Sequence, residues 1–173
     1  LFYAGAQKNL GPSGVTIVGI RKNMLGKCNE NLPTMVDYKT HATKNSLFNT
    51  PPVFAIYILK LVLEWVKNNG GLLGIGEINQ KKKDLIYNLL DSHSDFYNPT
   101  AEKNSRSWMN ITFKLPTEDL EKKFLEESVA NRLIGLKGHR SVGGIRVSLY
   151  NAMTFEGAEA VVELMETFMN KYG

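Results

Sequence analysis

Lys8 stands among small residues, Ala4-Gly5-Ala6-Gln7-Lys8-Asn9, just ahead of the turn Gly11-Pro12-Ser13-Gly14. Small neighbours leave room for a flat ligand beside the amine, and glycine lets backbone approach closely. A lysine that forms an imine must first lose its proton, which burial or a nearby positive charge can arrange. The same spacing suits a solvated loop lysine, so the residues alone leave both readings open. A second such place is Phe48-Asn49-Thr50-Pro51-Pro52. Thr50 suits a helix N-cap and Pro51 the first helical position, where a missing N–H costs nothing. The positive end of that helix dipole, with Asn49 and Thr50 beside it, would receive a phosphate. The plainer alternative is that Thr50 only caps and Asn49 only turns. The third place is Lys137-Gly138-His139-Arg140-Ser141-Val142-Gly143-Gly144-Ile145-Arg146. Arginine's planar fork matches carboxylate and phosphate, so this stretch could hold a doubly anionic substrate. A solvent-exposed basic hairpin is the competing reading, and His139 by itself is an ordinary surface histidine.

The elements that would carry these groups follow from pattern. Leu1 to Ile20 reads as strand, loop, strand, with Lys8 in the loop. Residues 21–43 carry scattered charges and Pro33, which predicts irregular chain with a short helical turn near Met24-Leu25. Val53 to Asn68 predicts a helix with Ile56, Leu59, Val62, Leu63 and Val66 on its apolar face, stopped by Asn69-Gly70-Gly71. Leu72 to Leu90 predicts a second helix, its firm part delayed to about Glu77 by Gly74 and Gly76. Its apolar positions are Ile75, Ile78, Leu85, Ile86, Leu89 and Leu90, with Lys81-Lys82-Lys83 on the wet side. The polar stretch from Asp91 to Arg106 marks a boundary, dividing the chain into 1–91 and 92–173.

Beyond it the rhythm is that of a small α+β unit. Met109 to Leu115 and Gly144 to Tyr150 alternate as half-buried strands, and Leu133 to Leu136 is a shorter candidate. A helix starts at Pro116-Thr117-Glu118-Asp119 and runs to about Asn131. Thr154 caps a last helix from Phe155 to about Lys171, with Ala158, Val161, Val162, Met165, Phe168 and Met169 toward the core.

Bulk properties narrow the function classes. In 173 residues, 43% are hydrophobic, which suits one packed domain or two small ones. No apolar run reaches bilayer-spanning length, and the first residues lack a secretory pattern. The chain opens within a strand pattern and without methionine, so a portion of a longer protein is expected. Cys28 is the one cysteine, with no Cys/His cluster around it. It is read as a plain loop or core thiol, with no metal site, in a reducing, cytoplasmic setting. A net charge of +4 invites nucleic acid, but the lysine run sits in a helical pattern without an aromatic-basic motif. Neither nucleic acid nor membrane is expected as a partner. The positive excess suits small anionic substrates equally well.

The three motifs, in this order and at this separation, resemble the phosphoserine aminotransferases, pyridoxal-phosphate enzymes of class V. The likeness runs from end to end, with Asn104-Ser105-Arg106-Ser107-Trp108-Met109-Asn110 and Phe124-Leu125-Glu126-Glu127-Ser128 agreeing between the motifs. It implies an α/β fold, the second half of the large cofactor domain with the interdomain helix (1–91) followed by a small α+β domain (92–173). Lys8 would match the lysine that links covalently to the cofactor aldehyde and shuttles the substrate proton, and Gln7 a residue lining the cofactor pocket. Asn49 and Thr50 would match a pair reaching the cofactor phosphate of a neighbouring subunit. Arg146 would match the clamp on the substrate α-carboxylate, while His139 and Arg140 match part of the pocket for a phosphate or distal carboxylate. The implied reaction moves an amino group from glutamate, leaving 2-oxoglutarate, to phosphohydroxypyruvate, giving phosphoserine for serine biosynthesis.

One departure is large. The family's chain is about twice as long, and the half before Leu1 supplies the acidic partner of the pyridine nitrogen, the stacking aromatic and further arginines. Trp65 and Trp108 do not take the stacking place. The expectation is therefore a carboxyl-terminal portion, inactive alone, that needs the missing half and a homodimer partner. The competing classes are a non-catalytic interaction module built on the same fold, and an RNA- or anion-binding domain using His139, Arg140 and Arg146.

Overall fold

The computed structural model describes residues 1–27, 29 and 31–173. Cys28 lies outside them, so the expectation for its thiol is not addressed. The described chain divides into two compact units, Leu1–Asn68 and Asn69–Gly173. Position 91/92, the boundary read from the sequence, lies at the last residues of a helix that belongs to the second unit.

In the first unit, strand β1 (Phe2–Gly5) pairs antiparallel with β2 (Thr16–Gly19), Phe2 opposite Gly19 and Gly5 opposite Thr16. The connection between them carries Lys8, as strand, loop, strand required. Short 3₁₀ turns follow at Lys22–Met24 and Thr34–Val36. Helix α1 (Tyr38–Thr43) then interrupts a stretch expected to be irregular. Its cause is local: the Asp37 carboxylate accepts the Lys39 N–H at 2.9 Å and satisfies one orphan donor of the first turn.

Helix α2 spans Val53–Asn68, the bounds expected, but Thr50 does not cap it and Pro51 is not its first residue. Its first backbone bond runs from Ile56 N–H to the Pro52 carbonyl, so Pro52 flanks the helix. The reason is the double proline, because Pro52 pushes Pro51 out of the helical region. Its apolar face is also shifted. Ala55 and Leu59 are buried, with Ile58, Val62 and Val66 half-buried, whereas Ile56 and Leu63 are exposed.

In the second unit, Gly70 in the left-handed region (φ 84°) precedes helix α3 (Gly71–Ser92). Gly74 does not delay this helix. A Cβ there would collide with the Asn69 carbonyl, so the glycine permits a close approach. Two further expectations fail on α3. Ile78 is exposed, and Lys82, expected on the wet face, is completely buried. Its ammonium donates to the carbonyls of Met153 (2.8 Å), Tyr150 (3.2 Å) and Leu149 (3.4 Å). Burial pushes the Lys82 amine below its ordinary value.

The rest of the unit is a three-stranded antiparallel sheet, β3 (Asn98–Pro99), β4 (Asn110–Lys114) and β5 (Ile145–Ser148), in the order β3-β4-β5. It is accompanied by helices α4 (Glu118–Ala130) and α5 (Phe155–Tyr172). The cap foreseen at Thr154 forms, its hydroxyl accepting the Gly157 N–H at 3.2 Å, and Thr117 caps α4 likewise by accepting the Leu120 N–H at 3.2 Å. Leu133 to Leu136 makes no strand, although the Leu136 carbonyl accepts the Arg146 N–H at 2.8 Å. Ile111, Phe113, Ile145 and Val147 point to the core with Phe124, Met165 and Phe168. Edge-on aromatic pairs run through Tyr97–Phe113, Phe113–Phe124 and Phe124–Phe168. On α5 the buried set includes Leu164, which the periodic reading omitted, while Val162 and Met169 are partly covered. Among the described residues no helix is long and apolar enough to cross a membrane.

Candidate active site

Lys8 is placed by a tight reversal of chain. Its N–H donates to the Gly11 carbonyl at 2.8 Å, and the Gly11 N–H returns to the Lys8 carbonyl at 3.2 Å. Ala6, buried, ties the base of the loop to β2 by donating to the Val15 carbonyl at 2.9 Å. Gly11 lies over Ile58 and Leu59 of α2, where an added Cβ would sit 3.7 Å from each. The turn is thus held from both sides. It leaves Lys8 at φ 84°, a left-handed conformation that costs a non-glycine residue about 1–2 kcal/mol. A bulky side chain kept there is a sign that position matters more than local comfort.

Beside Lys8 lies an open depression of about 530 Å³, lined by Gly5, Ala6, Gln7, Ser13, Gly14 and Thr16 among others. A Cβ added at Gly5 or Gly14 would meet no atom within 4 Å, so these glycines keep free space next to the amine. Gln7 and Lys8 are both exposed on this depression. Asn49 and Thr50 are exposed ahead of α2 and are not part of its lining. The Asn49 side-chain amide donates to the Thr50 carbonyl at 3.4 Å.

The cationic group sits in the second unit. Arg146 occupies β5 opposite Thr112, on the sheet face away from the core. Its Nε is buried and has no hydrogen-bond partner. A buried guanidinium donor left without an acceptor is costly, and Arg106 Nε shares that condition although its two terminal nitrogens are bound by Asp91. Neighbouring positions of that face are polar: Ser148 and Tyr150 both bond the Asn110 side chain, and Thr100 meets Thr112.

His139 and Arg140 lie on an exposed turn, with the Val142 and Gly143 N–H groups donating to the His139 carbonyl at 2.9 and 2.8 Å. His139 Nδ1 accepts the Ser141 N–H at 3.3 Å and lies 2.7 Å from Ser141 Oγ. An accepting Nδ1 leaves the proton of a neutral ring on Nε2, which then faces outward as a donor. This turn borders a cavity of about 600 Å³ shared with Lys114, Lys122, Lys137 and Glu121. Glu121 was not foreseen. Its carboxylate accepts the Gly144 N–H at 3.2 Å across 23 residues of sequence, a separation that no local pattern announces.

The first unit thus presents an amine beside open space, and the second, taken by itself, a cationic turn and an arginine with an unpartnered Nε. The chain belongs to the class-V aminotransferase family, whose model matches residues 1–161. Over its whole length it is 56% identical to the phosphoserine aminotransferase of Herpetosiphon aurantiacus, covering 48% of that protein. The phosphoserine aminotransferase of Bacillus circulans subsp. alkalophilus superposes with a TM-score of 0.95 at 50% identity, over 99% of this chain and 47% of that one. The pyridoxal-phosphate-bound phosphoserine aminotransferase of Trichomonas vaginalis gives 0.87 at 37% identity, over 95% and 47%. The α/β fold expected from the resemblance is the second half of the aminotransferase fold. The chain spans about half the length of the relatives it matches.

Proposed function

We propose that this chain is the cofactor-lysine and carboxyl-terminal portion of a phosphoserine aminotransferase, transferring the glutamate amino group to 3-phosphohydroxypyruvate. The observation that carries the reading is Lys8, held at positive φ beside a depression kept open by Gly5 and Gly14, in a chain aligned end to end with such enzymes. That space, bounded by small residues and one amine, fits pyridoxal phosphate. When bound, the cofactor supplies an aldehyde to carry the amino group and an electron sink for the pair released at the substrate α-carbon.

Each candidate site residue then has a task. Lys8 Nζ would hold the cofactor and, as a free amine, would accept the proton from the substrate α-carbon. Gln7 lines the pocket. Asn49 and Thr50, ahead of the α2 N-terminus, bind the cofactor phosphate of a neighbouring subunit. Arg146 turns its unpartnered Nε and planar fork on the α-carboxylate. His139, donating from Nε2, and Arg140 receive the phosphate or the distal carboxylate. Both amino-group partners carry two anionic ends, so a single cationic pocket serves them in turn.

The complete enzyme is read as a cytoplasmic homodimer of serine biosynthesis, with 1–91 in its large domain and 92–173 in its small one. The first unit supports the need for more protein, since Phe2, Tyr3, Val53 and Phe54 are each more than 60% exposed. An apolar surface of that kind is normally covered by a partner. Borohydride reduction of the complete enzyme loaded with pyridoxal phosphate, followed by peptide mapping, tests the assignment. The adduct is expected on Lys8, and an adduct on another lysine overturns it.

A further inference from the structure

We infer that Glu121 is a positioning residue for the anion-binding turn that carries His139 and Arg140, an inference that rests on the substrate roles proposed above. Glycines flank that turn, Gly138 before it and Gly143 and Gly144 after it. Gly138 accepts no side chain, because a Cβ would collide with the carbonyl of Gly143. Gly144 sits at φ 71°, and a Cβ on it would press on the Phe113 carbonyl at 2.8 Å. Such backbone has many alternatives open to it, and side-chain packing cannot choose among them. Besides the turn's own bonds to the His139 carbonyl, two hydrogen bonds make the choice. The Gly138 N–H donates to the Gly144 carbonyl at 2.8 Å, which closes the loop on itself. The Gly144 N–H donates to Glu121 Oε2 at 3.2 Å, which ties the loop to α4.

Glu121 is a sound anchor because α4 is itself fixed. One turn onward Phe124 is fully buried in the aromatic core, and Thr117 caps the helix start. The bond falls between the two halves of the cationic group, four residues after Arg140 and two before Arg146. Arg146 is held besides by the β4–β5 pairing and by its N–H on the Leu136 carbonyl, so losing the Glu121 bond loosens the turn of His139 and Arg140 and leaves Arg146 in place. Glu121 touches no reacting atom in this scheme. Its carboxylate accepts a hydrogen bond from the backbone, a task that the amide oxygen of glutamine also performs.

The test uses the complete enzyme with Glu121→Ala and Glu121→Gln. For Glu121→Ala, KM for glutamate and for phosphohydroxypyruvate is expected to rise roughly ten-fold, with KM for alanine, which lacks a distal anion, unchanged. Glu121→Gln is expected to restore most of the loss. Hydrogen exchange at the Gly144 amide is expected to quicken roughly ten-fold in the alanine variant only. An active enzyme in which Glu121→Ala keeps its KM values and its Gly144 protection overturns the inference. So does an equal loss for alanine and glutamate, or a glutamine variant as damaged as the alanine one. The exchange measurement does not depend on turnover. If wild type shows no transamination yet Gly144 loses protection as described, the substrate assignment fails while the anchor stands.

Discussion

The Lys82 ammonium lies 2.8 Å from the Met153 carbonyl oxygen, joining the middle of α3 to the turn that launches α5. Two more carbonyls, of Tyr150 and Leu149, share the same donor, and the side chain has no solvent exposure. One amine thus gathers the backbone between β5 and α5 around itself. Replacing it by methionine keeps the stem and removes every donor. Lys82→Met is expected to cost roughly 3 kcal/mol of unfolding free energy, because buried acceptors lose their only charged partner. A urea midpoint unchanged from wild type would show that the carbonyls are satisfied otherwise.

Asp91 predicts an acid response. Its carboxylate receives two Arg106 N–H groups at 2.6 and 2.9 Å, and Lys103 Nζ lies at 3.3 Å. The Arg106 hydrogen bonds chiefly hold its pKa down, from 3.8 to about 2. With the folded value below the unfolded one, the unfolded chain binds more protons in that window. The contribution is therefore complete above about pH 4 and disappears as pH falls toward 2. Urea midpoints measured at steps between those limits should fall more steeply for wild type than for Asp91→Asn. Parallel curves would remove Asp91 from the acid response.

Lys8 predicts a separation of stability from activity. At φ 84°, glycine is comfortable and alanine is not. Lys8→Gly is expected to be more stable than Lys8→Ala by about 1 kcal/mol, read from denaturant unfolding. Both are expected to lose transaminase turnover by roughly a thousand-fold or more in the complete enzyme. Equal stability of the two variants would mean the turn relaxes when the lysine is gone.

Arg146 and His139 predict different losses. Lys replaces a fork by a point charge, so Arg146→Lys is expected to raise KM for both amino-group partners roughly ten-fold. His139→Ala should harm substrates with a phosphate or distal carboxylate and spare alanine. Steady-state kinetics with glutamate, phosphoserine and alanine distinguishes the two residues. Equal losses on all three for His139→Ala would contradict its place in the pocket.

Much of this was already present in the order of residues. Thr117 and Thr154 cap because a hydroxyl three residues ahead of a free N–H needs no help from the rest of the protein. The paired strands around Lys8, the helix ending at Asn68 and the alternation in β4 and β5 are local in the same sense. The misreadings have causes too. Pro52 overruled the cap at Thr50 through a one-residue steric rule, while the helix kept the bounds read for it. Ile56, Leu63 and Ile78 fit a helical stripe, yet they stay exposed because the stripe that packs is rotated from the one that periodicity draws.

The motifs that carry chemistry, and the family they belong to, are thus a property of the chain read as text, since residue type and spacing are all they require. Other features needed the chain to be folded. Lys82 meets its acceptors across 67 to 71 residues, and Glu121 finds the Gly144 amide across 23. Arg146 acquires a buried, unanswered Nε only once the sheet closes around it. Neither hydropathy nor periodicity encodes such meetings, because they depend on which backbone groups packing leaves without a partner.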